Sequence, residues 1–452
     1  MLGLLRRMTL ERAVQLALAA TIVSTVVAAG SILGWMEPAR KVRWAALFVL
    51  VGLALVYARR YGDRSFSRAS YLAAGSFAVV ALVSAAWSSE PRLTAGRAIA
   101  FSLVLLAAAA FSHGAAGRDR PDALLEGVLL GAVAVAVAGL LVLAFRYDRA
   151  VQAATTVSPA RYQGLGGGPN LAAMVLAVAT PLAFHVSVAA RSRVGRVGGL
   201  VALALLLGSV AFSGSRGALA AAAAGLVLYA VAAARTRRRH LLLVAAALLI
   251  AVTLGVSRLP SPAATNPPDP TGQDPAPAQV TPAPGYLDAN LEGLRLQDDI
   301  GHPGAGVPDP NRRERNLFGT SGRSEAWRGA LALAADRPLV GYGFGTEDRT
   351  FVDRYVFFNS NVPENSYLGL LLQLGVAGLA LLAALVVALL RPALHAVRGG
   401  GRGAAVAAAA SGAFAAALVV AVFQSYLYAA GSSATAAAWT CAFAASVSAA
   451  RS

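Results

Sequence analysis

Arg161, Arg216, Arg323 and Glu364 are the residues whose types and surroundings could carry chemistry. Arg216 closes the turn Ser213-Gly214-Ser215-Arg216-Gly217, where the glycines favour a fixed geometry. Arg323 stands just ahead of Trp327 at the start of a helix-forming stretch. A guanidinium keeps its charge and offers five donors in a rigid fork, which suits it to phosphate oxygens. Arg161 precedes Gly164-Leu165-Gly166-Gly167-Gly168-Pro169-Asn170, a turn whose backbone amides could also hold an anion. Glu364 is the one carboxylate of Pro363-Glu364-Asn365-Ser366-Tyr367-Leu368, where partial burial would raise its pKa toward general-base range.

Each residue has a plainer reading. Arg216 could snorkel to a membrane interface, Glu364 could favour a helix N-terminus, and Arg328 and Arg337 default to solvated positions. The glycine-rich turn lacks the Gly-Lys-Ser/Thr ending of a nucleotide P-loop, which argues against nucleotide hydrolysis. His113, His185, His240, His302 and His395 make no zinc-ligand spacing. Asp298-Asp299 borders a Pro-rich insert, and no other Asp-Asp or Asp-x-Asp pair occurs in the long loop described below, so metal-independent chemistry is expected. Cys441 is the single cysteine and cannot form an intramolecular disulfide.

These residues must be positioned by membrane helices. Only 13% of the 452 residues are charged and 57% are hydrophobic, whereas soluble domains carry roughly 25% charged residues. The apolar residues arrive in runs of about 17–25, the length that crosses roughly 30 Å of hydrocarbon. Lipid offers the backbone no hydrogen-bond partner, so helices must do the spanning. The runs predict an all-α polytopic membrane protein of about twelve transmembrane helices, at 12–33, 43–59, 69–87, 97–113, 122–145, 170–190, 197–213, 217–234, 241–256, 366–390, 403–428 and 432–449. The first follows Arg6, Arg7 and Arg12 and is expected to be a retained signal anchor.

A net charge of +17 could suggest nucleic acid, but about half of the 39 basic residues lie in segments on one side of these spans. The positive-inside rule then places both termini in the cytoplasm, with no nucleic-acid partner expected. Residues 1–256 hold helices 1–9 and residues 366–452 hold helices 10–12. The long extracytoplasmic loop between helices 9 and 10 divides at Arg312. Residues 257–311, crowded with Pro, Asp, Gly and Ala, are expected to be disordered, and residues 312–365 to form a structured cap on the outer surface. Within the cap, Ser324–Ala335 reads as a helix with Trp327, Leu331 and Ala334 at helical spacing. Gly341-Tyr342-Gly343-Phe344-Gly345-Thr346 reads as a flexible turn, and Phe351–Phe358 as a second amphipathic stretch.

Taken together, residues 155–390 resemble the O-antigen ligase and polymerase family of bacterial membrane glycosyltransferases. The resemblance rests on Arg161, Gly164, Pro169 and Asn170, on the Ser-x-Ser-Arg-Gly turn, and on Arg323-x-x-x-Trp327 in a long outer loop. It continues through Pro338–Thr346, Asn365-Ser366-Tyr367-Leu368 and Leu374-Gly375. It implies transfer of a glycan from an undecaprenyl-pyrophosphate carrier to a glycan or lipid acceptor hydroxyl at the outer face of the cytoplasmic membrane, with no cofactor or metal. Arg216 and Arg323 would bind the pyrophosphate and stabilise its leaving charge. Arg161, Asn170, Trp327, Asn365 and Tyr367 would be supporting substrate contacts. The family often has His-Asn where this chain has Glu364-Asn365, and that His is the proposed base, a role that here would pass to Glu364 or be lost.

The alternative from another class is a transporter or flippase of a glycolipid or anionic solute, for which the spans are equally suitable. Its expected mark, an ionisable residue in mid-span, is missing. A non-catalytic envelope assembly protein is the third reading, favoured only if Glu364 has replaced a required base.

Overall fold

A computed structural model describes residues 9–30, 36–62, 68–154, 160–233, 244, 246, 247, 323–351, 362–400 and 402–448. In chain order the helices are α1 (Leu10–Ala29), α2 (Met36–Tyr61), α3 (Arg68–Val83), α4 (Pro91–Gly117), α5 (Asp122–Phe145), α6 (Tyr147–Ala150), α7 (Pro169–Ala189), α8 (Arg193–Phe212) and α9 (Arg216–Ala233). They continue as α10 (Arg323–Asp336), α11 (Glu347–Thr350), α12 (Ser366–Gly399), α13 (Arg402–Phe423) and α14 (Ser433–Val447). A two-residue hairpin, β1 (Val151–Gln152) against β2 (Arg161–Tyr162), is antiparallel with Val151 opposite Tyr162.

Among the described residues ten helices are long and apolar enough to cross a membrane, and they coincide with ten of the predicted spans. The protein is an all-α polytopic membrane protein. The twelfth predicted span contains α14, a shorter apolar helix. Of the ninth, 241–256, only Val244, Ala246 and Ala247 are described, all helical. The Pro-rich segment 257–311 and most of the stretch Phe351–Phe358 lie outside the described residues.

Helix α14 is the centre of the bundle. Every residue from Ser433 to Val447 is buried, and it packs against α1, α4, α5, α7, α12 and α13. A helix apolar on all sides is stable only when enclosed, and the alanines of Ala434–Ala438 and Ala442–Ala445 let neighbours approach closely. The same device joins α9 to α13, where a Cβ on Gly225 would lie 2.6 Å from the Gly412 carbonyl oxygen.

The cap, residues 323–351, is inlaid into a break in α12. Gly375 has φ +61 inside that helix, and a Cβ there would come within 2.3 Å of the Leu339 backbone. The break frees backbone groups that cost several kcal/mol each if left bare in lipid, and the chain from Pro338 to Gly343 satisfies them. The Tyr342 and Gly343 N–H groups donate to the Leu372 and Gln373 carbonyls at 2.9 and 2.8 Å, while the Val376 N–H donates to the Pro338 carbonyl at 2.7 Å. The segment expected to be a flexible turn is therefore fixed. Its other side is tied to the connection between α3 and α4, where Phe344 N–H donates to Ser84 Oγ at 2.9 Å and Trp87 Nε1 to the Val340 carbonyl at 3.2 Å.

The cap helix α10 matches the predicted span and buries its alanines. Ala326, Ala330 and Ala334 are buried against Phe351 and Leu372, while Leu331 is half exposed. Small side chains let α10 lie close on α12. Trp327 stays at the edge, where its indole N–H reaches the Pro363 carbonyl at 3.0 Å, as a partly buried Trp requires.

Candidate active site

Arg161 and Arg216 are joined through a turn. Arg161, on β2, is buried. Its Nε donates to the Ser213 carbonyl at 2.8 Å, and its Nη2 to Asn170 Oδ1, in the first turn of α7, at 3.0 Å. Ser213 Oγ accepts the Ser215 N–H at 3.1 Å, and Gly214 has φ +59, a conformation that favours glycine. Arg216 then opens α9 half-buried, with Gly217 close against the Phe423 ring. Arg161 and Asn170 thus brace the reversal that presents Arg216.

Arg323 opens α10 and forms an ion pair with Glu364, Nη2 to Oε2 at 2.5 Å, with side chains only 18% and 26% exposed. Arg323 Nε is buried and pairs with no acceptor. Glu364 has φ +46, one of two non-glycine residues at positive φ among those described. Such strain persists where the surroundings over-determine it, commonly at functional sites. Trp327 contributes by gripping Pro363, the residue before Glu364. Arg216 lies within electrostatic range of Arg323, so the two guanidinium groups and the carboxylate share one end of the bundle.

Asn365 and Tyr367 hold the frame. Asn365 Oδ1 caps α12 by accepting the Tyr367 and Leu368 N–H groups at 2.9 and 3.1 Å, in the usual N-cap manner. The Tyr367 hydroxyl donates to the Leu418 carbonyl on α13 at 2.8 Å. Both side chains are thus engaged in building the fold.

Residues 201–383 match the family model described as O-antigen ligase. Over that segment the chain is similar to the O-antigen ligase family. The matched segment contains Arg216, Arg323, Trp327, Glu364, Asn365 and Tyr367, and Arg161 and Asn170 precede it. No curated protein matches the chain. With its apolar helices, the O-antigen ligase domain makes this a multi-pass membrane protein with a glycosyltransferase-like role in polysaccharide biosynthesis.

The ligase domain also holds a carboxylate that sequence reasoning missed. Glu347, on α11, is buried, and its Oε2 accepts from Gln373 Nε2 at 3.0 Å and from the Tyr428 hydroxyl at 2.5 Å. Burial pushes its carboxyl up to about 7, against the pull of the hydrogen bonds from Tyr428 and Gln373. Its neighbour Asp348 pairs with Arg97 of α4 through both oxygens, at 2.5 and 2.9 Å. Glu347-Asp348 reads in the sequence as acids opening a helix, which is ordinary. Burial becomes visible only once α12 and the 424–432 segment fold over it.

Proposed function

We propose that the chain transfers or polymerises a glycan from an undecaprenyl-pyrophosphate carrier onto an acceptor hydroxyl, at the outer face of the bacterial cytoplasmic membrane and without a metal. The observation that carries this reading is the Arg323–Glu364 ion pair beside Arg216. Two guanidinium groups supply the charge that a departing pyrophosphate needs, and Arg323 Nε is a buried donor still open to an oxygen. Leu339, Val340 and Val376 leave an exposed apolar ridge at the cap, which suits a site that meets a lipid-borne substrate at the bilayer surface. The sidedness rests on the distribution of arginines between the spans.

In this mechanism the pair with Arg323 holds the Glu364 carboxylate in place beside the donor site. The donor's pyrophosphate takes over Arg323 and engages Arg216. Glu364 is thereby released from the ion pair to meet the acceptor hydroxyl. The acceptor oxygen attacks the anomeric carbon and its proton passes to Glu364. The bond from that carbon to the phosphate oxygen breaks, and its electron pair leaves on the undecaprenyl pyrophosphate beside the two arginines.

Purified protein in liposomes, given a radiolabelled undecaprenyl-pyrophosphate glycan and an acceptor with EDTA present, tests the reading. Wild type is expected to form product, and Arg216→Ala and Arg323→Ala are each expected to lose it. Normal transfer by either variant contradicts the assignment, and movement of the lipid between leaflets without product replaces it with the flippase reading.

A further inference from the structure

Arg43 is a cation held in place without a counter-charge. It stands in the second turn of α2, and the helical repeat puts it on the side of Leu47 and Leu50, both buried in the bundle. Its guanidinium passes over the Trp44 ring, with Cζ 5.2 Å from the centroid. It also lies against Gly431, in the turn ahead of α14, where a Cβ would stand 3.2 Å from Nη1 and 3.7 Å from Cζ. Its Nε is buried and meets no acceptor, and among the described residues no carboxylate forms an ion pair with it.

The surroundings sharpen this imbalance. Arg40, one turn earlier on the same flank, is exposed and adds a like charge, and Lys41 beside it is exposed as well. Gly431 is two residues ahead of α14, whose dipole is positive at this end. Ser432 is the N-cap of α14 yet makes no capping bond, although serine there ordinarily accepts from the helix, and its Oγ is buried with no partner. An unmatched guanidinium and an unused hydroxyl thus stand at the same turn, an arrangement that costs free energy when empty and that an oxyanion satisfies. The opposite side of α2 faces lipid, with Val42, Phe48 and Val49 exposed. Bases give way to apolar residues within about two helical turns, and Trp44 stands between them, as at a membrane–water boundary.

We propose that Arg43, at the turn formed by Gly431 and Ser432, binds the phosphate of an anionic phospholipid whose acyl chains lie along the exposed side of α2. The residues of this site come from α2 and the turn ahead of α14, whereas Arg216, Arg323 and Glu364 come from α9, α10 and the start of α12, so the binding does not depend on the transfer reaction proposed above. A guanidinium gives two parallel hydrogen bonds to one phosphate. Arg40 and Lys41 add the attraction that bases at a membrane surface exert on anionic headgroups. They also select against a zwitterionic headgroup, whose choline cation would meet their like charge.

Native mass spectrometry of the purified full chain, titrated with dioleoyl phosphatidylglycerol or dioleoyl phosphatidylcholine, tests the proposal. Wild type is expected to bind phosphatidylglycerol about tenfold more tightly than phosphatidylcholine, and Arg43→Gln to lose that preference, as removal of one charge-assisted pair does. Gly431→Ala keeps the charge but sets a Cβ against the guanidinium; it should weaken phosphatidylglycerol binding too, and it decides the matter should Arg43→Gln fail to fold. Arg391→Gln, which removes an exposed base toward the other end of α12, should bind as wild type does. Equal affinities of wild type for the two lipids, wild-type binding by folded Arg43→Gln or by Gly431→Ala, or an equal loss in Arg391→Gln overturns the proposal. Displacement of phosphatidylglycerol by an equimolar amount of inorganic phosphate would make this a site for the free ion and overturns it as well.

Discussion

Arg323 and Glu364 face each other across 41 residues of sequence. The arginine opens α10 of the cap, and the glutamate stands two residues ahead of α12. A pair of this kind fixes the cap's first turn against the start of the membrane helix. Removing Arg323 also strips a half-buried anion of its partner, so Arg323→Ala is expected to cost transfer about 100-fold or more. Steady-state kinetics in detergent or liposomes reads this directly, and Arg323→Lys should recover little because a point charge cannot reproduce the fork.

Glu364 has a discriminating substitution. If it accepts the proton, Glu364→Gln loses kcat by about 100- to 10,000-fold. Glu364→His, which installs the side chain the family often carries there, should transfer faster than Glu364→Gln at neutral pH. Equal rates for the Gln and His variants would show that this position takes no proton.

Arg161 acts at one remove, through the carbonyl of Ser213. Arg161→Ala should lower transfer by releasing the turn that presents Arg216, and Arg161→Lys should not restore it, since one ammonium cannot span both Ser213 and Asn170. Thermal unfolding measured alongside should fall by about 1–3 kcal/mol, the cost of leaving buried acceptors unpaired.

Gly375 holds the break in α12 into which the cap is laid. Gly375→Ala adds a Cβ at positive φ against the Leu339 backbone, a strain of about 1–3 kcal/mol. The expected result is earlier protease cleavage within residues 337–345, with the remaining spans intact. Unchanged protection of that segment would contradict the inlaid arrangement.

The buried Glu347 gives stability a pH dependence. Its folded value, about 7, exceeds the reference of 4.5, so its contribution is fully present below about pH 4.5 and is lost as pH rises through about 7. Thermal midpoints of wild type should therefore fall across that window, while those of Glu347→Gln stay flat.

Much of this was legible in the residues. The spans follow from the length of the apolar runs, and Arg216, Arg323 and Glu364 stand out because charged side chains at span ends are few and set in unusual turns. Three features carried too little signal. The break in α12 is marked only by Gly375 inside a Leu-rich run, and such a glycine is more often tolerated than functional. Of the residues that mark α10 in the sequence, Trp327, Leu331 and Ala334, only Ala334 joins Ala326 and Ala330 on the buried face, because a close helix contact selects small side chains. Glu347 was passed over for the same reason that it matters: its neighbours come from α12 and the segment after α13, far away in sequence.

The most direct test is the transfer of labelled glycan from its undecaprenyl-pyrophosphate carrier to acceptor by the purified protein in liposomes with EDTA, comparing wild type with Arg216→Ala and Glu364→Gln. The account predicts product from wild type alone. Product from Arg216→Ala at the wild-type rate, or lipid movement between leaflets with no product from any of them, would contradict it.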